Sequence, residues 1–173
     1  MWLQIGIFGS LVAIVLALVL SVRRVRDGII SSTIYKKGFA IHMNIFSRIH
    51  NKAIENHKKE LFSKLSLMLN NIEGDILEIG AGTGANFKFF PPGSSVIALD
   101  PNPHMEWYLK SNCAKFPHIY LKQCVTGFAE EIKEVQENSV AAVVCTLTLC
   151  SVSDIAKVLQ EVKRILKPVS SER

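Results

Sequence analysis

An acidic side chain followed by three alternating glycines stands at the end of a short apolar run. The residues are Glu78, Gly80, Gly82 and Gly84, and Asp100 follows 20 positions after the first glycine. Glycine lets a backbone turn sharply and approach a ligand without a Cβ in the way. A carboxylate at one strand end can hold a cation, and one at the next can accept hydrogen bonds from a ribose diol. This spacing predicts a ribose-containing cofactor bound at the edge of a sheet.

Two classes of cofactor compete for this turn. Gly80-x-Gly82-x-x-Ala85 fits the loose dinucleotide fingerprint, with Asp100 as the ribose acid. The same residues also form Glu-x-Gly-x-Gly-x-Gly, the pattern of class I S-adenosylmethionine methyltransferases. A carboxylate at the strand tip would repel a pyrophosphate and attract the ammonium group of S-adenosylmethionine. Glu78 therefore favours S-adenosylmethionine over a dinucleotide.

Later strand ends carry further candidate residues. Phe128 follows the third predicted strand, where such folds hold the adenine, and its ring could pack on the purine face. Thr146, Thr148, Cys150 and Ser151 follow the fourth and could line an acceptor pocket, or could simply end a buried strand. The histidines and cysteines lack the spacing of metal ligands, so no metal site is predicted.

The elements that must position these residues begin at Asp75. Short apolar strands alternate with helical segments, which predicts parallel βαβ units in an α/β fold. Residues 75–173 therefore form the predicted cofactor domain. The predicted strands are 75–79, 95–99, 119–124 and 140–147, and the predicted helices are 84–90, 103–112, 129–135 and 154–166.

A membrane segment precedes this domain. Residues 2–22 are 21 positions without a charge, enough to cross the hydrocarbon core of roughly 30 Å as a helix. Arg23, Arg24 and Arg26 follow at once, which favours an uncleaved anchor at residues 1–22 with the body of the protein in the cytosol. A cleaved signal peptide and a one-sided insertion into a lipid-droplet monolayer are the alternatives.

Residues 23–74 form a basic connector. Residues 1–74 hold ten Lys and Arg against four acids, whereas the remainder of the chain holds ten against eleven. Basic charge beside an apolar segment favours an anionic membrane surface over a nucleic acid as partner. Helical periodicity places Ile54, Leu61, Leu65, Met68 and Ile72 on one face. We expect an amphipathic helical connector that lies on the membrane, covers the active site or packs against the sheet.

Longer strings within this chain resemble one family. They are LEIGAGTGANFKFFPPG, LDPNPH, VVCTLTLCSV and EVKRILKP, and the resemblance runs from about Lys58 to Lys167. The chain is similar to the membrane-anchored thiol S-methyltransferases of the methyltransferase-like protein 7 type. The resemblance implies a cytosol-facing enzyme of the endoplasmic reticulum and lipid droplets that methylates small thiols with S-adenosylmethionine. It also implies that the three glycines form the cofactor loop and that Glu78 and Asp100 are its acids.

The resemblance further implies a shortened sheet. Class I methyltransferases order seven strands as 3-2-1-4-5-7-6, and this chain has five residues after Pro168. We expect the N-terminal portion of a Rossmann-like parallel sheet in the order 3-2-1-4, with strands 5–7 missing and an apolar edge at Val140, Val143 and Val144. Two hypotheses follow: a thiol methyltransferase, or a catalytically inactive truncated isoform associated with a membrane or lipid droplet.

Overall fold

A computed structural model describes residues 21–69 and 72–168. The chain divides into two compact units with the boundary between Phe39 and Ala40. Residues 21–31 of the first unit are helical, and helix α1 (Thr33–Ala53) crosses the boundary. None of the described helices is both long and apolar enough to span a bilayer. The predicted anchor at residues 1–22 lies almost wholly outside the described residues and stays a prediction.

The second unit is built on a four-stranded parallel sheet in the order β3-β2-β1-β4. This confirms the predicted α/β class and strand order. Because all four strands are parallel, their carboxyl ends meet at one edge of the sheet, where ligands bind in open α/β folds. The strands are β1 (Asp75–Ile79), β2 (Ser95–Asp100), β3 (Tyr120–Thr126) and β4 (Val140–Cys145).

Helices cover both faces of this sheet, which is why β1 and β2 are near-continuous apolar runs. Helices α2 (Glu55–Leu69) and α3 (Met105–Cys113) cover one face together with a 3-10 turn at Phe87–Phe89. Helix α4 (Ile155–Ile165) covers the other face. The Asp154 side chain caps α4 by accepting a hydrogen bond from the Lys157 amide at 3.1 Å, as its position in the sequence predicts.

Two predicted helices are wrong. Residues 84–90 form only the short 3-10 turn, and residues 129–135 form no helix. Side chains of α4 bind the backbone of residues 129–135. The Arg164 guanidinium donates to the carbonyl oxygens of Ile132 and Val135 at 2.8 and 3.1 Å, and the Glu161 carboxylate accepts from the Ile132 amide at 2.8 Å. A helix over residues 129–135 would pair the amide and the carbonyl of Ile132 internally, and both are bound by these side chains instead.

The predicted apolar face of the connector is not the face that α2 buries. Leu65 is buried, but Leu61 and Met68 are exposed by 48% and 66%. The buried stripe is instead Lys58, Phe62 and Leu65. The Phe62 ring packs between the rings of two phenylalanines that follow the cofactor loop, which fixes the rotation of the helix.

The expected exposed edge of β4 is covered at its start, and Val143 within it is half-buried. Val140 and Val144 are buried, at 0% and 7% exposure. Leu166 pairs in parallel with Val140, and the Lys167 amide donates to the Val140 carbonyl at 2.9 Å. The segment after α4 therefore covers the start of this edge.

Candidate cofactor site

The cofactor loop, residues 80–86, follows β1 directly at the carboxyl edge of the sheet. The amides of Gly80 and Ala81 donate to the Leu99 carbonyl at 2.8 and 3.1 Å, so the loop is tied to β2. The three predicted glycines have positive φ angles: Gly80 at 69°, Gly82 at 54° and Gly84 at 77°. This region of backbone space is costly for residues with a side chain.

The glycines differ in what they make room for. A Cβ at Gly80 would lie 2.1 Å from the Thr148 hydroxyl oxygen, and one at Gly84 would lie 2.5 Å from the Phe87 ring. A Cβ at Gly82 would meet no atom nearer than 3.9 Å. Gly80 and Gly84 therefore accommodate the protein's own side chains, and the close approach predicted for all three glycines is available at Gly82.

Asp100 ends β2 and closes onto the loop. Its Oδ2 accepts a hydrogen bond from the Gly82 amide at 3.0 Å, and its Oδ1 accepts from the Asn102 amide at 2.8 Å. Burial raises the pKa of Asp100, while these two backbone hydrogen bonds act to lower it. Each carboxylate oxygen can accept more than one hydrogen bond. Asp100 can therefore position the loop and also accept from a ribose diol.

Glu78 is a fully buried acid with one unused oxygen. Its Oε1 accepts from the Asn86 amide group at 2.6 Å, whereas its Oε2 has no hydrogen-bond partner among the described residues. Burial raises its pKa to about 7, against the opposing effects of the Asn86 hydrogen bond and the Lys58 charge, while Asp100 adds to the rise. An unpaired buried polar atom costs about 1–3 kcal/mol. A ligand ammonium beside Oε2 would supply the missing donor.

An apolar cavity of about 210 Å³ opens beside Gly80. Leu99, Pro101 and Gly127 line it, and Phe128 stands at its rim with 68% of its surface exposed. The structure therefore brings the predicted adenine residue Phe128 to the same cavity as the loop. Within the described part of the chain, no group of His, Cys, Asp or Glu side chains could hold a metal ion.

A polar network behind the loop escaped the sequence analysis. The Lys58 ammonium lies 2.6 Å from the amide oxygens of Asn51 and Asn86, and the Ser47 and Thr83 hydroxyl oxygens lie 3.3 Å apart. One signal was available. Lys58 precedes Phe62 by four positions and Leu65 by seven, which places a charge on a buried helical stripe. Asn51 belongs to no motif, and Asn86 lies in the string that carries the family resemblance but had no role assigned to it.

Together, the sheet order, the acid–glycine loop after β1 and the acid after β2 define a class I methyltransferase fold. A family model for the methyltransferase domain matches residues 77–170. The chain therefore belongs to the methyltransferase-domain family, whose methyl donor is S-adenosylmethionine. Glu78 Oε2 and the open space at Gly82 fit that donor.

Two curated relatives of this chain are thiol S-methyltransferases. The chain is 45% identical to the thiol S-methyltransferase TMT1B of Rattus norvegicus over 118 residues, which are 68% of this chain and 48% of that protein. It is 42% identical to the Homo sapiens TMT1B over 135 residues, 77% of this chain and 55% of that protein. These relatives confirm the resemblance to thiol S-methyltransferases. The chain spans about half the length of the curated relatives it matches.

A solved structure shares the fold. It is a crystal structure from Methanococcus maripaludis, assigned as an S-adenosyl-L-methionine-dependent methyltransferase, with a TM-score of 0.61 and 25% identity. The match covers 76% of this chain and 59% of that one.

Proposed function

We propose that this chain is the cofactor-binding portion of an S-adenosylmethionine-dependent methyltransferase that acts on small-molecule thiols. The observation that carries the proposal is the buried Glu78 carboxylate, whose Oε2 is unpaired among the described residues. Glu78 lies on β1, and Asp100 on the neighbouring strand β2 binds the cofactor loop that follows β1. When bound, the donor's sulfonium supplies an electrophilic methyl group. The residues described above do the work of binding and orienting it.

Three parts of the donor have a matching group. Glu78 would hold the ammonium of the methionine end, and Asp100 would accept from the ribose hydroxyls. The apolar cavity lined by Leu99 and Phe128 would take the adenine. Gly82 would let the backbone approach closely, because its Cβ position is open. These contacts fix the direction of the reacting sulfur–methyl bond.

The thiol is the acceptor that the relatives support. Transfer is an in-line displacement in which the acceptor sulfur bonds to the methyl carbon and the electrons of the broken bond return to the donor sulfur. A free thiol has a pKa near 8.5, so about a few per cent is thiolate at neutral pH. Positioning then supplies much of the rate. Thr148 and Ser151, which were predicted as acceptor-pocket residues, line the same cavity as Leu99 and Phe128 and would therefore face the bound cofactor.

Cofactor binding tests the proposal directly. Titration calorimetry of the full chain in mild detergent is expected to show binding of S-adenosylmethionine, and Asp100→Ala is expected to abolish it. Asp75→Asn is the matched control, because Asp75 lies on β1 at the opposite edge of the sheet, beside Lys122 and Ser95. The control should bind as the wild type does. No binding by the wild type at millimolar cofactor would reject the proposal for this chain.

Turnover separates the two functional hypotheses. A thiol methyltransferase converts an alkyl thiol to its methyl thioether, detectable by mass spectrometry with isotope-labelled donor. Binding without turnover would instead support a catalytically inactive form. The inactive form also predicts that residues 1–70, fused to a fluorescent reporter, reach the endoplasmic reticulum or lipid droplets by themselves.

We also propose that α1 contacts an anionic membrane surface. Between Ala40 and Ala53 its outward face carries Ile41, Ile45 and Ile49, exposed by 53%, 59% and 72%. An apolar helical face flanked by basic charge suits the boundary between lipid headgroups and acyl chains. The proposed location is the cytosolic face of the endoplasmic reticulum membrane or a lipid droplet.

Hydroxyl-radical footprinting of the full chain in nanodiscs tests this surface. We expect Phe46 on α1 to be protected more in bilayers that contain phosphatidylserine than in phosphatidylcholine alone. Trp107 on α3 is the internal control, since it is 71% exposed and far from the basic connector in sequence. Equal oxidation of Phe46 in both bilayers would contradict the proposal.

A further inference from the structure

Lys58 is a buried cation with two amide partners. The residue is 5% exposed, and its Nζ lies 2.6 Å from Asn51 Oδ1 on α1 and 2.6 Å from Asn86 Oδ1 in the cofactor loop. Buried lysines are rare unless they are paired. Burial lowers the pKa of Lys58, and the Glu78 carboxylate opposes that effect. The position therefore carries a cost that a purely apolar stripe would avoid.

The ammonium of Lys58 fixes which way the Asn86 amide points. With its oxygen held by Lys58, Asn86 turns its NH₂ group to Glu78 Oε1 at 2.6 Å and to the Thr146 hydroxyl at 2.8 Å. The reversed amide would set its NH₂ against an ammonium and its oxygen against a carboxylate, both unfavourable. The chain Lys58–Asn86–Glu78 thus holds one carboxylate oxygen and leaves Oε2 for a ligand.

The same cation reaches α1. Asn51, which accepts from Lys58, donates its own amide hydrogen to the Ala85 carbonyl of the cofactor loop at 2.9 Å. Ser47 lies one helical turn earlier, with its hydroxyl 3.3 Å from that of Thr83 in the loop. Helix α1 and the loop are therefore joined by Asn51, which also binds Lys58, and separately by Ser47.

We propose that Lys58 is a positioning residue of the cofactor site, which acts through Asn86 to orient Glu78 and through Asn51 to make cofactor affinity depend on helix α1. The proposal rests on the proposed binding of S-adenosylmethionine. Lys58 itself has no contact with the ligand in this scheme.

The charges that face Glu78 set the direction of the expected effect. Lys58 approaches from α2, Asp100 from β2 and the Cys145 thiol from β4. Among these groups, only Lys58 favours the ionised carboxylate by its charge. Loss of Lys58 therefore raises the pKa of Glu78 and moves the ionisation that suits a cationic ligand to higher pH.

The test compares Lys58→Met with Lys59→Met, the neighbouring lysine whose side chain is 63% exposed. Calorimetry on the full chain in mild detergent measures S-adenosylmethionine affinity across the neutral pH range. Relative to wild type, Lys58→Met is expected to lose about tenfold or more in affinity at neutral pH and to shift the midpoint of the pH profile up by about one unit. The ligand's own ionisation is common to both proteins, so the difference between profiles reports the site.

A second variant keeps the test decisive if Lys58→Met does not fold. Asn51→Leu removes the two hydrogen bonds that Asn51 makes from α1 but keeps the Lys58–Asn86–Glu78 chain, so affinity should fall several-fold with the pH midpoint unchanged. The inference would be overturned if Lys58→Met bound the cofactor with the wild-type affinity and pH midpoint. It would also be overturned if Asn51→Leu bound the cofactor with the wild-type affinity. Absence of binding by the wild type would instead reject the proposed function.

Discussion

At the scale of single residues, Glu78 is an acid whose burial opposes its ionisation in the absence of a ligand. It is 2% exposed, and its pKa of about 7 means that folding favours the protonated acid at pH values where an exposed glutamate is ionised. The Asn86 hydrogen bond and the Lys58 charge offset only part of the desolvation. A ligand ammonium at Oε2 would complete the set of partners and lower the pKa.

This environment predicts a pH-dependent stability that Glu78→Gln removes. The folded pKa of about 7 lies above the ordinary glutamate pKa of 4.5. Between these values the folded state keeps a proton that the unfolded state loses, so the free energy of unfolding falls as pH rises. The full difference is about 3 kcal/mol and is reached above neutral pH. Urea unfolding from acidic to alkaline pH, without cofactor, measures it.

The matched control for that experiment is Glu60→Gln. The Glu60 side chain is 66% exposed beside Lys64. Its variant should keep the wild-type decline in stability, whereas Glu78→Gln should flatten it. Parallel pH profiles for wild type and Glu78→Gln would show that the buried carboxylate is ionised throughout and would contradict the prediction.

Which site residues the sequence could predict depends on how the contacts are spaced along the chain. Glu78, the glycines and Asp100 belong to motifs with fixed spacing at strand ends, so their types alone indicate a cofactor. Asn86 and Lys58 meet across 28 positions, and Asn86 and Thr146 across 60. No local pattern encodes such pairs. The glycine motif was predicted correctly, but close approach of a ligand explains only part of it. Gly80 and Gly84 make room for the Thr148 and Phe87 side chains.

At the scale of elements, the strands were predictable because parallel strands buried on both faces are short apolar runs. Helix α4 was predictable from its apolar stripe and the Asp154 cap. Residues 129–135 have a helix-like composition, yet Arg164 and Glu161 bind their backbone groups. Tertiary contacts override propensity there. The buried stripe of α2 was not predictable, because the apolar spacing left open whether that face meets a membrane or the sheet, and Lys58 is buried through contacts with Asn51 and Asn86.

Helix α1 has a polar face toward the cofactor loop and an apolar face that is exposed. Ser47 and Asn51 face the cofactor loop through hydrogen bonds, whereas Ile41, Ile45 and Ile49 are exposed. A helix that packs on its own domain usually buries its apolar stripe instead. The reversal is the physical reason for assigning the outer face to a membrane surface and the inner face to the cofactor site.

At the scale of the whole molecule, the site joins elements that are distant in sequence. The loop after β1 is bound by Asp100 of β2, by Asn112 of α3 and by Asn51 of α1. Cofactor binding at this edge should therefore stabilise residues well outside the glycine motif. Helix α4 packs on the opposite face of the sheet and, among the described residues, shares no hydrogen bond with this network.

Hydrogen exchange can measure how far that stabilisation extends. With S-adenosylmethionine at about 100 times its Kd, the global free energy of unfolding should rise by about 2.7 kcal/mol. Local opening is a separate process, and its exchange should slow most in residues 80–86 and in residues 44–51 of α1. Residues of α4 that exchange by local fraying should keep their rates, which makes α4 the internal control. In Asn51→Leu the protection should remain in the loop and disappear from α1. Protection confined to the loop in the wild type would mean that α1 is not coupled to the cofactor.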